Sequence, residues 1–226
     1  MTVTTGKQCA SYKGSTNMLD WVVVDVEIQK TIEEVEGGWN ATDKLGVAVA
    51  CVWQYTDQRM RVYGPDDVDA LRERLLKADR ISGFNIFNFD FPVIWGFDKR
   101  KWVSASPRGD TRYSQDMVEH VKQNMLTRTD DMLRRIWQAM GLNPDSFGGG
   151  HKGCGLDAVA EATLGAKKIG HGADAPKWYQ EGKIQKVVNY CSDDVALERD
   201  LTDFVERYGY CIVKGERLQI PKWRGV

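Results

Sequence analysis

Asp25 and Glu27 stand two residues apart inside the apolar, β-branched run Trp21-Val-Val-Val-Asp25-Val-Glu27, and Tyr190 and Asp194 stand four apart near the other end of the chain. Between them, Gly83-Phe-Asn85-Ile-Phe-Asn-Phe-Asp90 adds a further acid after a second strand-like run. A carboxylate on a buried strand is costly unless something compensates it, and a cation is the usual compensation. Hard oxygen ligands of this kind favour Mg²⁺ or Mn²⁺ over zinc. Four acids from separated segments, meeting at one point, would make a site for two divalent metals, and such a site suits in-line displacement at phosphorus.

The elements that must position these residues can be read locally. On a strand, i and i+2 share a face, so Asp25 and Glu27 project together. On a helix, i and i+4 share a face, so Tyr190 and Asp194 do too, while Asp193 points away and is the weaker ligand candidate. Asp90 falls after a strand and near a helix start, where the helix dipole tolerates a carboxylate. Parallel neighbouring strands would gather these acids at their carboxyl ends. Each piece alone has a plainer use: a solvated strand face, a helix surface, a turn and a cap.

Near-continuous Val predicts a central strand over 21–27, buried on both faces. A polar connection over 29–43 leads to strands over 45–55 and 58–63, an antiparallel meander. Pro65 and the acids after it open a helix whose apolar face is Val68, Leu71, Leu75 and Leu76. A fourth strand over 78–84 and a helix over 89–97 follow. The charged stretch 98–120 contains a Pro107 loop. Helices are expected over 130–140, 156–164 and 184–208, with a Gly-rich loop over 146–155 and a polar connection over 166–177. Residues 1–18 read as a polar lead-in and 212–226 as an extended tail. The expectation is one α/β domain over 1–226, core about 19–208, in which a mixed sheet of a three-stranded antiparallel meander plus parallel strands is flanked by helices.

Composition narrows the function classes. The 226 residues are 42% hydrophobic, and 31 basic residues nearly balance 32 acidic ones. That excludes a dedicated basic nucleic-acid coat, but not a nuclease whose metals supply local positive charge. The five cysteines form no Cys-x-x-Cys pair and read as reduced thiols of a cytoplasmic protein, and the three histidines share no ligand spacing. No apolar run is long enough to span a bilayer, and no signal region opens the chain.

Taken together, the three segments resemble the motifs of the DEDDy group of 3′–5′ exonucleases in the ribonuclease H-like superfamily. That group includes the proofreading domains of family A and family B DNA polymerases and the RNase D-type enzymes. Val23-Val24-Asp25-Val26-Glu27 is similar to its first motif. Ile81-Ser-Gly-Phe-Asn85-Ile-Phe-Asn-Phe-Asp90 is similar to its second, in the form closest to family B polymerases, and Tyr190-Cys-Ser-Asp-Asp194 to its third. The likeness spans about residues 21–205 and leaves no room for polymerase palm or fingers, so a free-standing exonuclease is expected.

The resemblance implies that Asp25 bridges two Mg²⁺ or Mn²⁺ ions. Glu27 and Asp194 would complete the nucleophile side, Asp90 would support the second ion, and Tyr190 would position the attacking water. It implies a role for Asn85 in holding the motif loop or substrate. Ile28 stands where Thr, Ser or Cys is frequent and would alter the grip on the terminal nucleotide. Phe89 is a candidate for stacking on a base, with Phe87 beside it. Lys167, of the pair Lys167-Lys168, is a candidate phosphate contact, as is Arg134-Arg135; Trp178 and Tyr179 read as core. The segment Gly148–Gly153 lacks the Lys-Ser/Thr ending of a phosphate-binding loop. The expected substrate is single-stranded DNA or the 3′ end of a duplex, and the products nucleoside 5′-monophosphates. An RNase D-like exoribonuclease, a catalytically silent nucleic-acid-binding domain and a structure-selective endonuclease are the alternatives.

Overall fold

The computed structural model describes residues 19–99, 121, 123–144, 153–168, 170 and 172–225. The polar lead-in, the Pro107 loop, most of the Gly-rich loop, Cys9 and all three histidines lie outside the described residues.

Strand β1 (Trp21–Ile28) pairs antiparallel with β2 (Val47–Gln54), which pairs antiparallel with β3 (Arg59–Tyr63). On its other side β1 pairs parallel with β4 (Arg80–Gly83), and β4 pairs parallel with β5 (Thr129–Asp131). The five-stranded order is therefore β3-β2-β1-β4-β5, and β1 is central. Its alternate residues feed two cores, which is why a run of Val suits it. Val22, Val24 and Val26 pack with Leu71 and Leu75 of α1 (Val68–Lys77) and with Phe91 and Ile94 of α2 (Asp90–Trp95). Val23 faces Val187, Cys191 and Val195 of the long helix α6 (Ile184–Tyr208). Each fully buried side chain of this size contributes about 1.5–3 kcal/mol.

Further helices among the described residues include α3 (Met132–Ala139), α4 (Leu156–Leu164), α5 (Ala175–Gln180) and α6 (Ile184–Tyr208). The architecture is α/β, a mixed sheet with an antiparallel meander on one side and parallel strands on the other, flanked by helices, as the sequence predicts. Among the described residues, no helix is long and apolar enough to cross a membrane.

Two local expectations are corrected, while the expected polar connection after β1 holds three short 3-10 turns, Ile32–Glu34, Gly38–Asn40 and Thr42–Lys44. The helix expected from Asp130 begins at Met132, because residues 129–131 join the sheet edge as β5. Asp131 is the N-cap, accepting from the backbone N–H of Leu133 (3.0 Å) and Arg134 (3.3 Å), so the start signal was real and displaced by the strand before it. The extended tail over 212–226 is instead mostly a hairpin of β6 (Tyr210–Val213) and β7 (Glu216–Gln219). Cys211, Val213 and Ile220 pack against Leu201 and Val205, which extends the core beyond residue 208.

Candidate active site

The end of β1 sets the site. Glu27 pairs with Val49 but Ile28 pairs with Val47, so Ala48 is an extra residue on β2 and the ladder bulges just beyond Glu27. Asp25 and Glu27 project towards α6, which carries Tyr190, Asp194 and Glu198 at successive i+4 steps. One oxygen each from Asp25, Glu27 and Asp194 lies within 4.8 Å of the other two, and this triad could hold a metal ion. Cys191, on the same helix, donates its thiol to the Asp25 carbonyl (3.4 Å) and ties α6 to β1 at this level.

The loop after β4 delivers the fourth acid. Asn85 adopts φ +66°, a conformation that Asn tolerates better than most residues. Its backbone N–H and that of Phe87 donate to the two oxygens of Asp131 (2.9 and 3.0 Å). Asp131 thus caps α3 and clamps the loop at once. Asp90 follows at the first turn of α2 and accepts from the Val26 N–H (3.1 Å), which fixes it beside Asp25.

All of these acids are held towards their neutral forms. Burial, then the Asp194 charge, pushes Asp25 up to about 7. Burial, then the Asp25 charge, raises Glu27 and Asp90 far above the usual carboxylate range. Burial also raises Asp194, against the pull of Lys168. Lys168 is a cation set among them, its Nζ 2.5 Å from Asp194 Oδ2. Its burial opposes the charge, but Asp194 and Asp25 outweigh that and hold the ammonium above its ordinary value. Asp25 Oδ2 is buried without a partner among the described residues. This surplus of carboxylate over cation fits a site that divalent metal ions complete.

The acids open into a cavity of about 800 Å³ that Asn85, Phe89 and Ile28 also line. Trp39 stands at its rim, 63% exposed, with its ring 5.9 Å from that of Phe89. Phe87 is buried in the core. Lys167 points away from the acids and pairs with Glu161 (3.2 Å), so of the two adjacent lysines Lys168 is the one at the cluster. Asp193 is exposed and is not part of the triad. Arg134 stacks on the Phe87 ring at 4.7 Å, and Arg135 is buried in an ion network away from the cavity. Trp178 packs edge-on against Tyr190, centroids 5.8 Å apart, and Lys168 Nζ lies 5.0 Å from the same tyrosine ring. The backbone at Gly170 and Gly172 closes over this phenol: an added Cβ would sit 3.4 Å from the ring and 3.6 Å from the hydroxyl.

Two residues of the site escaped the sequence reading. Lys168 carries no local mark that separates it from its neighbour. Glu198 was legible in principle, since it extends the Tyr190, Asp194 spacing by one more turn.

No family model matches the chain, and no curated protein matches it. Among solved structures, the chain is similar to the family B DNA polymerase from the hyperthermophilic archaeon Pyrobaculum calidifontis, at 18% identity and a TM-score of 0.50. The likeness covers 83% of this chain and 24% of that polymerase. It concerns the fold, and the mixed sheet with its flanking helices is compatible with a ribonuclease H-like fold.

Proposed function

We propose that this chain is a two-metal-dependent 3′–5′ exonuclease that removes nucleoside 5′-monophosphates from nucleic acid, single-stranded DNA first among its substrates. The observation that carries the reading is the convergence of Asp25, Glu27 and Asp194 within 4.8 Å, with Asp90 beside them in the lining of a cavity of about 800 Å³ and Tyr190 one helical turn before Asp194. Asp25 would serve both ions, Glu27 and Asp194 would help hold one, and Asp90 would help hold the other. Divalent cations held there would neutralise phosphate charge and stabilise the attacking and leaving oxygens.

The protein groups do the positioning. The Tyr190 hydroxyl, with Lys168 beside it, orients the water that attacks phosphorus. Burial raises the phenol above its usual range, so it acts as a neutral hydrogen-bond partner and not as a base. Phe89 and Trp39 offer aromatic faces at the cavity rim on which a terminal base can stack, a contact that does not depend on base identity. Ile28 is buried and also lines the cavity.

The test is a 5′-labelled DNA oligonucleotide and an RNA of the same sequence, incubated with the protein in Mg²⁺, Mn²⁺ or EDTA. A ladder that shortens from the 3′ end, lost in EDTA, is expected, with DNA cut faster. Faster cleavage of the RNA would make the exoribonuclease the better reading, and binding of both strands without cleavage would point to a silent binding domain. Tyr190→Phe should slow turnover about tenfold to a hundredfold, the range of a lost positioning contact. Its Mn²⁺ affinity should stay within about twofold of the parent's, because the hydroxyl is not a ligand. A collapse of metal affinity in that variant would instead make the phenol part of the metal site.

A further inference from the structure

Glu198 is a buried acid with no assigned use. It is 3% exposed, it lines the same cavity as Asp25, Asp90 and Asp194, and its Oε2 has no hydrogen-bond partner among the described residues. A buried carboxylate oxygen left unpaired is costly, so a structural role would ordinarily supply it with a donor. None is present.

Its place in the fold is specific. Glu198 projects from α6 over the point where β1 and β4 part, since their pairing ends at Val23 and Ser82. The next residue on β4 is Gly83. A Cβ there would collide with Ile86 and with the Val24 carbonyl (2.8 Å), and would stand 3.4 Å from Glu198 Oε2. The missing side chain leaves the floor open for the glutamate. Asp25 begins one residue beyond Val24, and the loop that follows Gly83 delivers Asp90, which is anchored on Val26. Glu198 therefore approaches the cluster from the Asp25 and Asp90 side, whereas Glu27 and Lys168 border it with Asp194.

We propose that Glu198 is a fifth carboxylate ligand, holding the second divalent cation together with Asp25 and Asp90. The proposal rests on the two-metal reading above. It also closes the charge balance. Asp25, Glu27, Asp90, Asp194 and Glu198 bring five negative charges, and two divalent cations with Lys168 bring five positive ones. Counted over these groups alone, the loaded cluster is net positive without Glu198 and neutral with it, while Glu33, Lys99 and Asp157 line the cavity around them. A fully anionic second ligand pair also strengthens retention of that ion between turnovers.

The experiment is Mn²⁺ titration of the full chain by calorimetry and by electron paramagnetic resonance, on the parent, Glu198→Gln and Glu198→Met, with circular dichroism confirming the fold of each. Both replacements keep the volume of the glutamate, and Gln keeps its polarity, so the pair guards against loss of fold in either. The parent should bind two ions. In both variants one ion should weaken at least tenfold while the other keeps its affinity. Two ions bound by the variants as tightly as by the parent would overturn the assignment of Glu198 and leave the two-metal reading standing. A parent that binds no Mn²⁺ would overturn both.

Discussion

Asp25→Ala should abolish the 3′ ladder, a loss of at least about a thousandfold, because the carboxylate shared by both halves of the cluster disappears. The same substitution should have an opposite effect on metal-free stability. Burial and Asp194 push Asp25 up to about 7 in the folded protein, above the ordinary value of an unfolded carboxylate. The contribution is fully present below that ordinary value and is lost as pH rises through about 7. Glu27 and Asp90 shift in the same direction, so they add to the same loss. In EDTA, therefore, the parent's melting temperature should fall as pH is raised from about 5 to about 8. Asp25→Ala, which lacks one of the crowded charges, should fall less. Mg²⁺ should restore the parent at the upper pH and leave the variant nearly unmoved. A parent whose melting temperature is flat across that range in EDTA would show that the acids are not compressed as the geometry requires.

Asp130→Ala should destabilise the protein by about 3–5 kcal/mol, a large share of the about 5–15 kcal/mol that holds a typical domain together. Asp130 is 1% exposed and accepts from Arg80 Nε (3.2 Å), Arg135 Nη1 (2.9 Å) and the Ser82 hydroxyl (3.1 Å). Arg80 is buried between the Trp21 and Trp223 rings, its guanidinium carbon 4.0 and 4.6 Å from their centroids. Arg135 also donates to the Pro221 carbonyl (2.6 Å), and both arginines reach Glu206 (3.1 and 3.0 Å). Removing Asp130 leaves two buried guanidinium groups sharing one half-buried carboxylate. Urea unfolding measures the loss directly; a change below about 1 kcal/mol would mean that water reaches the network and replaces the missing partner.

This network also explains why the C-terminal segment resisted a sequence reading. Residues 210–219 are short, mixed in polarity and broken by a Lys214-Gly215 turn, so nothing local distinguishes a docked hairpin from an extended tail. Its order comes from partners far along the chain: the Thr163 hydroxyl accepts from the Ile212 N–H, and Glu206 accepts from the Trp223 N–H. Strand β5 is similar. Three residues carry no usable alternation, and Asp130-Asp131 ahead of an apolar helical period looks like a helix start. Asp131 is one; Asp130 is paired across the sheet.

The sequence by itself determined what depends on local repeat. Period-two geometry put Asp25 and Glu27 on one face of a strand, and period 3.6 put Tyr190 and Asp194 on one face of a helix. The Val run marked β1 as a strand covered on both sides, and the two cores against α1 and α6 bear this out. Tertiary structure alone decided which side chains share the space between those faces. It set Lys168 and not Lys167 against Asp194, placed Glu198 over the gap at Gly83, and joined Asp131 to the loop that carries Asp90. The physical reason is the same in each case. A backbone repeat fixes direction within one element, but the burial that raises these carboxylates and the charges that offset them come from elements that meet only when the chain has folded.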